Sequence, residues 1–290
     1  MEPAIRTAVS LGIINASING APFEELPYST LNQKYNILPG INNGPYEYPR
    51  IGYYCIGLGD MDVRVGPSGV PKTIPKLHMS TDTAPFRQRP FVVRPVDNDL
   101  TEAERTMFGL RRRESPRGVD CWVYYACRLP PATFAPTTEY YTIVDGVATA
   151  PVPWTPSASD FDPVGRTLSN TGVNVINNEF VASNVVRTIE WTEFLRDELL
   201  NASRMLVDSE EEAFFNDIAI VGGMDKVVAV PTANGGSVMM KEIIQATVFA
   251  YVYYHYDAVV KDRFTFDFSS SIEEPVFNYA NPPSVVANGI

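Results

Sequence analysis

The chain has 290 residues, of which 45% are apolar and 20% charged, with 24 prolines, 19 glycines and a formal net charge of -11. At this length roughly three quarters of the extended chain's surface can be buried, which provides a real core and excludes a disordered polymer. The acidic balance argues against a nucleic-acid partner, because polyanion binding rests on summed phosphate contacts that a body of like charge opposes.

Many prolines and glycines in an apolar chain point to a loop-rich β protein. Fifteen Tyr, 15 Phe and 3 Trp, with 17 Arg against 6 Lys, suit surfaces that contact other proteins. Cys55, Cys121 and Cys127 are an odd number, so they read as buried thiols rather than a disulfide framework. Cys121 and Cys127 lie about 20 Å apart along one strand at ~3.3 Å per residue, too far to bond each other.

In chain order, residues 1–50 are rich in turn formers (Pro22, Pro27, Pro39, Pro45, Asn43-Gly44) and predict an extended N-terminal segment. Their start, "MEPAIRTAVSLGIINASING", lacks the basic beginning and continuous apolar core of a signal peptide. A β-rich domain is expected over 51–155. It would begin with a strand pair in "IGYYCIGLGDMDVRVG" and include a short helix over 101–110, where Thr101 and Glu104 form a capping box. "VDCWVYYACRLP" (119–130) is apolar on both faces and predicts an interior strand. "TEYYTIVDGVATAPVPW" predicts a hairpin turning at Asp145-Gly146.

Residues 156–175 are Ser-, Pro- and Asp-rich and predict a linker or long loop. A second β-rich domain follows over 176–275, carrying a helix at 192–207 with Thr192 as N-cap and Phe194, Leu195, Leu199, Met205 and Leu206 at helical spacing. Its longest uncharged apolar stretch, "IIQATVFAYVYYHY" (243–256), is shorter than the ~20 residues of a membrane helix and alternates as a strand. Such a strand exceeds the usual length and is expected to bend or project beyond its sheet. Residues 276–290 read as a C-terminal tail. The fold class is therefore mainly β (α+β), with antiparallel sheets, sandwich-like, one long and one short helix, and extended termini.

No catalytic, cofactor-binding or metal residue emerges. His78 and His255 are far apart, no G-x-S-x-G occurs, and no Cys/His pair has zinc spacing. The acid pairs Asp60/Asp62, Asp97/Asp99 and Asp160/Asp162 and the run Glu210–Glu212 lack calcium-loop spacing. Charge placement is more informative. Between Phe86 and Gly118 eight arginines face five acids, a local net of +3 that leaves -14 for the rest of the chain. These arginines have three readings, of which nucleic-acid binding, opposed by the charge of the body, comes third. They pair with carboxylates of the same chain, or Arg87, Arg89, Arg94, Arg111, Arg112, Arg113 and Arg117 dock on an acidic patch of a neighbouring subunit and steer a head-to-tail ring.

The stretch "RPFVVRPVDNDLTEAERTMFGLRRR", followed by "VDCWVYYACRLP", resembles virion structural proteins of tailed bacteriophages, in particular tail, neck and baseplate-wedge components. The Pro-rich N-terminal meander and "KDRFTFDFSSS" continue the likeness. The resemblance implies a non-enzymatic building block of the virion, present in symmetric copies, folded in the host cytoplasm and needing no cofactor. Its partners would be copies of itself and other virion proteins, not a membrane or nucleic acid. The alternative is a carbohydrate- or receptor-binding β domain of a virion, in which Trp122, Trp154 or Trp191 meets polar groups in a concave site. A hydrolase working through paired carboxylates comes third.

Overall fold

The computed structural model describes residues 5–21, 31–37, 48–59, 61–65, 67, 69–132, 135–162, 174–231 and 235–278. The chain begins with β1 (Ile5–Arg6), α1 (Ala8–Asn19), α2 (Asn32–Tyr35), β2 (Arg50–Gly57), β3 (Met61–Val65) and β4 (Pro71–Pro75). The arginine-rich stretch then forms β5 (Gln88–Arg89), β6 (Val92–Pro95), α3 (Glu102–Arg105) and β7 (Phe108–Glu114). After β8 (Cys121–Arg128) come β9 (Thr137–Val144), β10 (Val147–Ala148), β11 (Val152–Pro153) and β12 (Asn174–Trp191). The C-terminal part holds α4 (Glu193–Val207), β13 (Phe214–Pro231), β14 (Ser237–Asp257) and β15 (Phe264–Asn278). The protein is mainly β.

Two compact units share the chain. The first takes residues 1–130 and 189–265, the second 131–188 and 266–290. The chain therefore leaves the first unit after β8, returns along β12 and leaves again along β15. This division differs from the expected pair of consecutive domains around a 156–175 linker.

The first unit is built on an eight-stranded sheet in the order β1-β14-β13-β2-β8-β6, with β5 on β2 and β7 on β8. All of its pairings are antiparallel. β8 is interior, as its two apolar faces predict: β7 lies along one edge, and the other edge is shared by β6 and β2. The handover falls at Ala126, a non-glycine residue at φ 52°. The irregularity breaks the alternation of the strand, so Ala126 follows Cys121, Val123 and Tyr125 into the main apolar cluster. All three cysteines are buried and free. Burial pushes the Cys55 and Cys127 thiols up to about 12.

A second aromatic cluster surrounds Trp191 at the end of β12. Phe215 lies 4.9 Å from it, Tyr256 5.1 Å, Phe264 5.7 Å and Phe91 5.9 Å between ring centroids. α4 starts at its predicted place: the Thr192 hydroxyl accepts from the Leu195 amide at 3.3 Å, and the helix stops where Asp208 turns left-handed at φ 64°. It seats Leu195 and Leu199 in the core, and the Asn201 amide donates to Val93 O on β6 at 3.1 Å.

The second unit is a five-stranded sheet ordered β10-β9-β12-β15, with β11 also on β9. Asp145 (φ 52°) and Gly146 (φ 79°) close the β9–β10 turn with Val144 opposite Val147, the two-residue primed turn that the Asp-Gly pair predicts.

Three expectations are corrected. The N-terminal segment is not simply extended, since α1 covers twelve of its residues, capped by Thr7 and ended by Gly20 at φ 63°. The helix expected over 101–110 stops at Arg105; its capping box is present, but from Phe108 onward pairing with β8 prevails. β3 pairs with β4 instead of continuing a hairpin from β2, which lies between β13 and β8. Asn43-Gly44, Pro22, Pro27, Pro39, Pro45, most of the 156–175 stretch and the tail beyond 278 lie outside the described residues. No described helix is long and apolar enough to cross a membrane.

Leu199→Ala is expected to lower the unfolding free energy by about 2–5 kcal/mol, the range for emptying a core leucine site, when measured by urea denaturation. A variant as stable as the parent would show that α4 does not bury this face.

Candidate assembly surface

The arginines between Phe86 and Gly118 serve mainly as internal ties. Arg89 on β5 is buried, and its guanidinium donates to Glu212 O, to Phe214 O at 3.3 Å and to Ser203 Oγ at 3.3 Å. It thus fixes the turn between α4 and β13 to the sheet, and burial pulls its pKa below the usual arginine value. Arg94 on β6 makes two parallel bonds to Glu198 of α4, with Nε to Oε2 at 3.0 Å. These bonds hold its pKa above the usual value. A bidentate fork of this kind fixes geometry as well as charge.

Asp99 is the hub of a second cluster. It accepts from Arg105 at 2.7 Å, from Arg111, from the Tyr124 hydroxyl and from the Leu100 amide at 2.8 Å. The Arg111 guanidinium also lies 3.5 Å from the centroid of the Trp122 ring, a cation–π contact. Arg112 donates to Tyr35 O at 2.8 Å and pairs with Glu242 of β14.

Three of the seven expected interface arginines reach the surface. Arg113 pairs with Asp120 at 2.6 Å and Arg117 with Asp208 at 3.2 Å, all four side chains being half exposed or more. Arg87 is exposed at φ 28°. Arg89, Arg94, Arg111 and Arg112 are turned inward or tied to their own chain. A simultaneous reversal of Arg111, Arg112 and Arg113 would therefore strike the fold before any docking surface.

Two arginines outside the seven expected at the interface also have structural roles. Arg105 joins the Asp99 cluster. Arg128 holds both carboxylate oxygens of Asp225 at 2.7 and 2.9 Å, donates to Lys241 O at 2.7 Å and meets the Tyr53 hydroxyl at 3.0 Å. Tyr53 itself donates to Asp225. Its ring lies directly over Gly109 of β7, where no side chain could fit. Asp225 is 97 residues from Arg128, a separation no local motif reveals.

These bonds matter because of where they fall on the β13–β14 hairpin. β2 pairs with β13 only from Asp217 to Gly223, and β1 meets β14 only at Ala250 and Tyr251. Among the described residues, the outer part of the hairpin has strand partners only in itself. Arg128 and Arg112 grip it at Asp225, Lys241 and Glu242. Beyond that grip, the fourteen residues Val227–Met240, "VVAVPTANGGSVMM", contain no charged side chain. Val227 is 54% and Met239 65% exposed. On the other side a cavity of about 200 Å³ separates Val228, Val230 and Met240 from Arg111, Trp122 and Tyr124.

The other candidates for chemistry are dispersed. Trp191 is fully buried, Trp122 is covered by Arg111, and Trp154 in the second unit is 47% exposed. His78 is buried, while His255 is exposed on β14 with the Phe214 ring 6.3 Å away. Among the described residues no three His, Cys, Asp or Glu side chains gather as a metal site. Asp60 and the side chain of Asp160 lie outside them.

A family of unknown function, DUF7208, matches residues 2–281. The chain belongs to this family. No curated protein and no solved structure matches it.

Asp99→Ala should cost about 3–5 kcal/mol of stability, because it leaves two buried guanidiniums without their carboxylate. Arg113→Ala, at a solvent-screened pair, should leave the denaturation midpoint unchanged. Equal effects of the two substitutions would contradict this division between buried and surface arginines.

Proposed function

We propose that this chain is a structural subunit of a tailed-phage virion, a tail, neck or baseplate component. It works by contact with copies of itself and with other virion proteins, after folding in the host cytoplasm. The placement in a virion rests on the resemblance of residues 89–130. The mode of action rests on one observation: the uncharged outer end of the β13–β14 hairpin, held at its base by Arg128 and Arg112.

Long uncharged strand edges are templates for pairing with another chain, and proteins that stay monomeric blunt them with lysine, proline or a covering element. Between Val227 and Met240 there is no lysine, and Pro231 is the single proline. A chain of net charge -11 repels its own copies. A contact made through an uncharged segment lessens that repulsion where the surfaces meet. α1 adds a second such surface: none of its twelve residues is charged, and Leu11 and Ile18 are 53% and 74% exposed.

The second reading, a carbohydrate- or receptor-binding domain, is favoured by the exposure of Trp154. It would require a Trp154→Ala variant to lose binding on a glycan array.

The assembly reading is tested by light scattering coupled to size exclusion, with and without added salt. A discrete oligomer that persists at high salt is expected, since uncharged contacts are not screened. The double variant Val227→Asp, Met239→Asp should run as a folded monomer. An oligomer that dissolves in salt and survives in the double variant would instead assign assembly to exposed charges such as Arg113 and Arg117. A parent protein that is monomeric at every concentration would overturn self-association through the hairpin.

A further inference from the structure

His78 sits in the segment between β4 and β5 and is 8% exposed. Its ring is stacked between two aromatic rings, Phe86 at 3.8 Å and Tyr251 of β14 at 3.6 Å, with interplanar angles of 15° and 11°. Both ring nitrogens face carboxylates: Nδ1 is 2.8 Å from Asp82 Oδ2, and Nε2 is 2.9 Å from Asp217 Oδ2. The same oxygens hold the backbone of the segment. Asp82 Oδ2 accepts from the Met79 amide at 3.0 Å, and Asp217 Oδ2 accepts from the Phe86 amide at 2.8 Å. The segment in turn holds the entry to α1, because the Ala8 amide donates to Ser80 O at 2.7 Å.

A neutral imidazole carries one N–H, so it can satisfy only one of these two carboxylates. The other nitrogen would then point a lone pair at a carboxylate oxygen within 3 Å. The imidazolium fills both positions, and the faces of Phe86 and Tyr251 favour a cation between them. We propose that His78, Asp82 and Asp217 form a proton-operated latch, closed while the imidazole carries both protons and released, with segment 76–86 and the start of α1, when one is lost.

The groups facing the ring from each neighbour agree with this balance. The segment itself contributes Asp82, and Lys76 at the exposed rim; β13 contributes Asp217 and the neutral Asn216; β14 contributes Tyr251, stacked on the ring, and Tyr253; β1 contributes Ile5. Cys55 of β2 is close enough to feel Asp217 and stays a neutral thiol. Burial lowers the His78 pKa, but the bonds and charges of Asp217 and Asp82 outweigh it, and the net shift is upward. A histidine with a raised folded value stabilises the fold fully below the unfolded value of ~6.5. That contribution is lost as pH rises through the folded value.

The chain has only two histidines, so their ring resonances can be followed by NMR and told apart with His255→Gln. The expected result is a His78 midpoint above ~6.5 that moves down in Asp82→Asn, a change at a partly exposed residue that leaves Asp217 in place. Hydrogen exchange at the Ala8, Met79 and Phe86 amides, corrected for its intrinsic pH dependence, should speed up above that midpoint. A His78 midpoint at or below the free value, an unchanged midpoint in Asp82→Asn, or corrected exchange that stays flat with pH would each overturn the latch.

Discussion

The structure depends on arginines that bridge strands distant in sequence. The long β13–β14 hairpin has β2 and β1 as neighbours only over its inner part. Its outer part is held to the rest of the first unit by Arg128 on Asp225 and Lys241, and by Arg112 on Glu242. Such partly buried ion pairs give a modest net return in stability, because desolvation offsets much of the attraction. What they supply is position. A forked guanidinium with two acceptors in fixed directions sets the angle at which a strand leaves its sheet.

This use of arginine explains how an acidic chain carries a locally basic stretch. Between Phe86 and Gly118 the excess cations are matched by carboxylates brought from elsewhere: Glu198 on α4, Asp208 after it and Glu242 on β14. The net charge of -11 is left on the remaining surface, where it opposes close approach of copies. The uncharged end of the hairpin and the uncharged helix α1 are the places where that opposition is weakest. The His78 latch adds a constraint on the second of them, because the segment it fastens also receives the first amide of α1.

Elements whose own periodicity matched their final environment were legible in the sequence. α4 showed its N-cap and apolar stripe, β8 its two apolar faces, and Asp145-Gly146 its turn. α1 was not legible, since it buries only Ser10 and Ile13 and so carries no stripe; Thr7 and Gly20, its two caps, were the signal that could have found it. The start of β7, Phe108–Leu110, was read as the end of a helix because the capping box at Thr101 is real, while the partner strand lies beyond the next turn. The division into units was hidden because the second unit joins an internal segment to the C-terminal strand. The arginine stretch was legible as a concentration of charge, but not its direction: the partners of Arg94, Arg112 and Arg128 are about a hundred residues away, and only the fold reveals them.

The proposed assembly has the outer hairpin covered by another copy of the chain. It is tested most directly by hydrogen exchange at Val227–Val230 and Val238–Met240 over a series of protein concentrations. If the hairpin end is the contact, amides on its outward edges exchange freely in dilute protein and become protected as concentration rises, while the sheet around Ile218 and Val252 is unchanged. Free exchange of those edge amides at every concentration, in a sample that is nonetheless oligomeric, would contradict the claim and place the contact elsewhere.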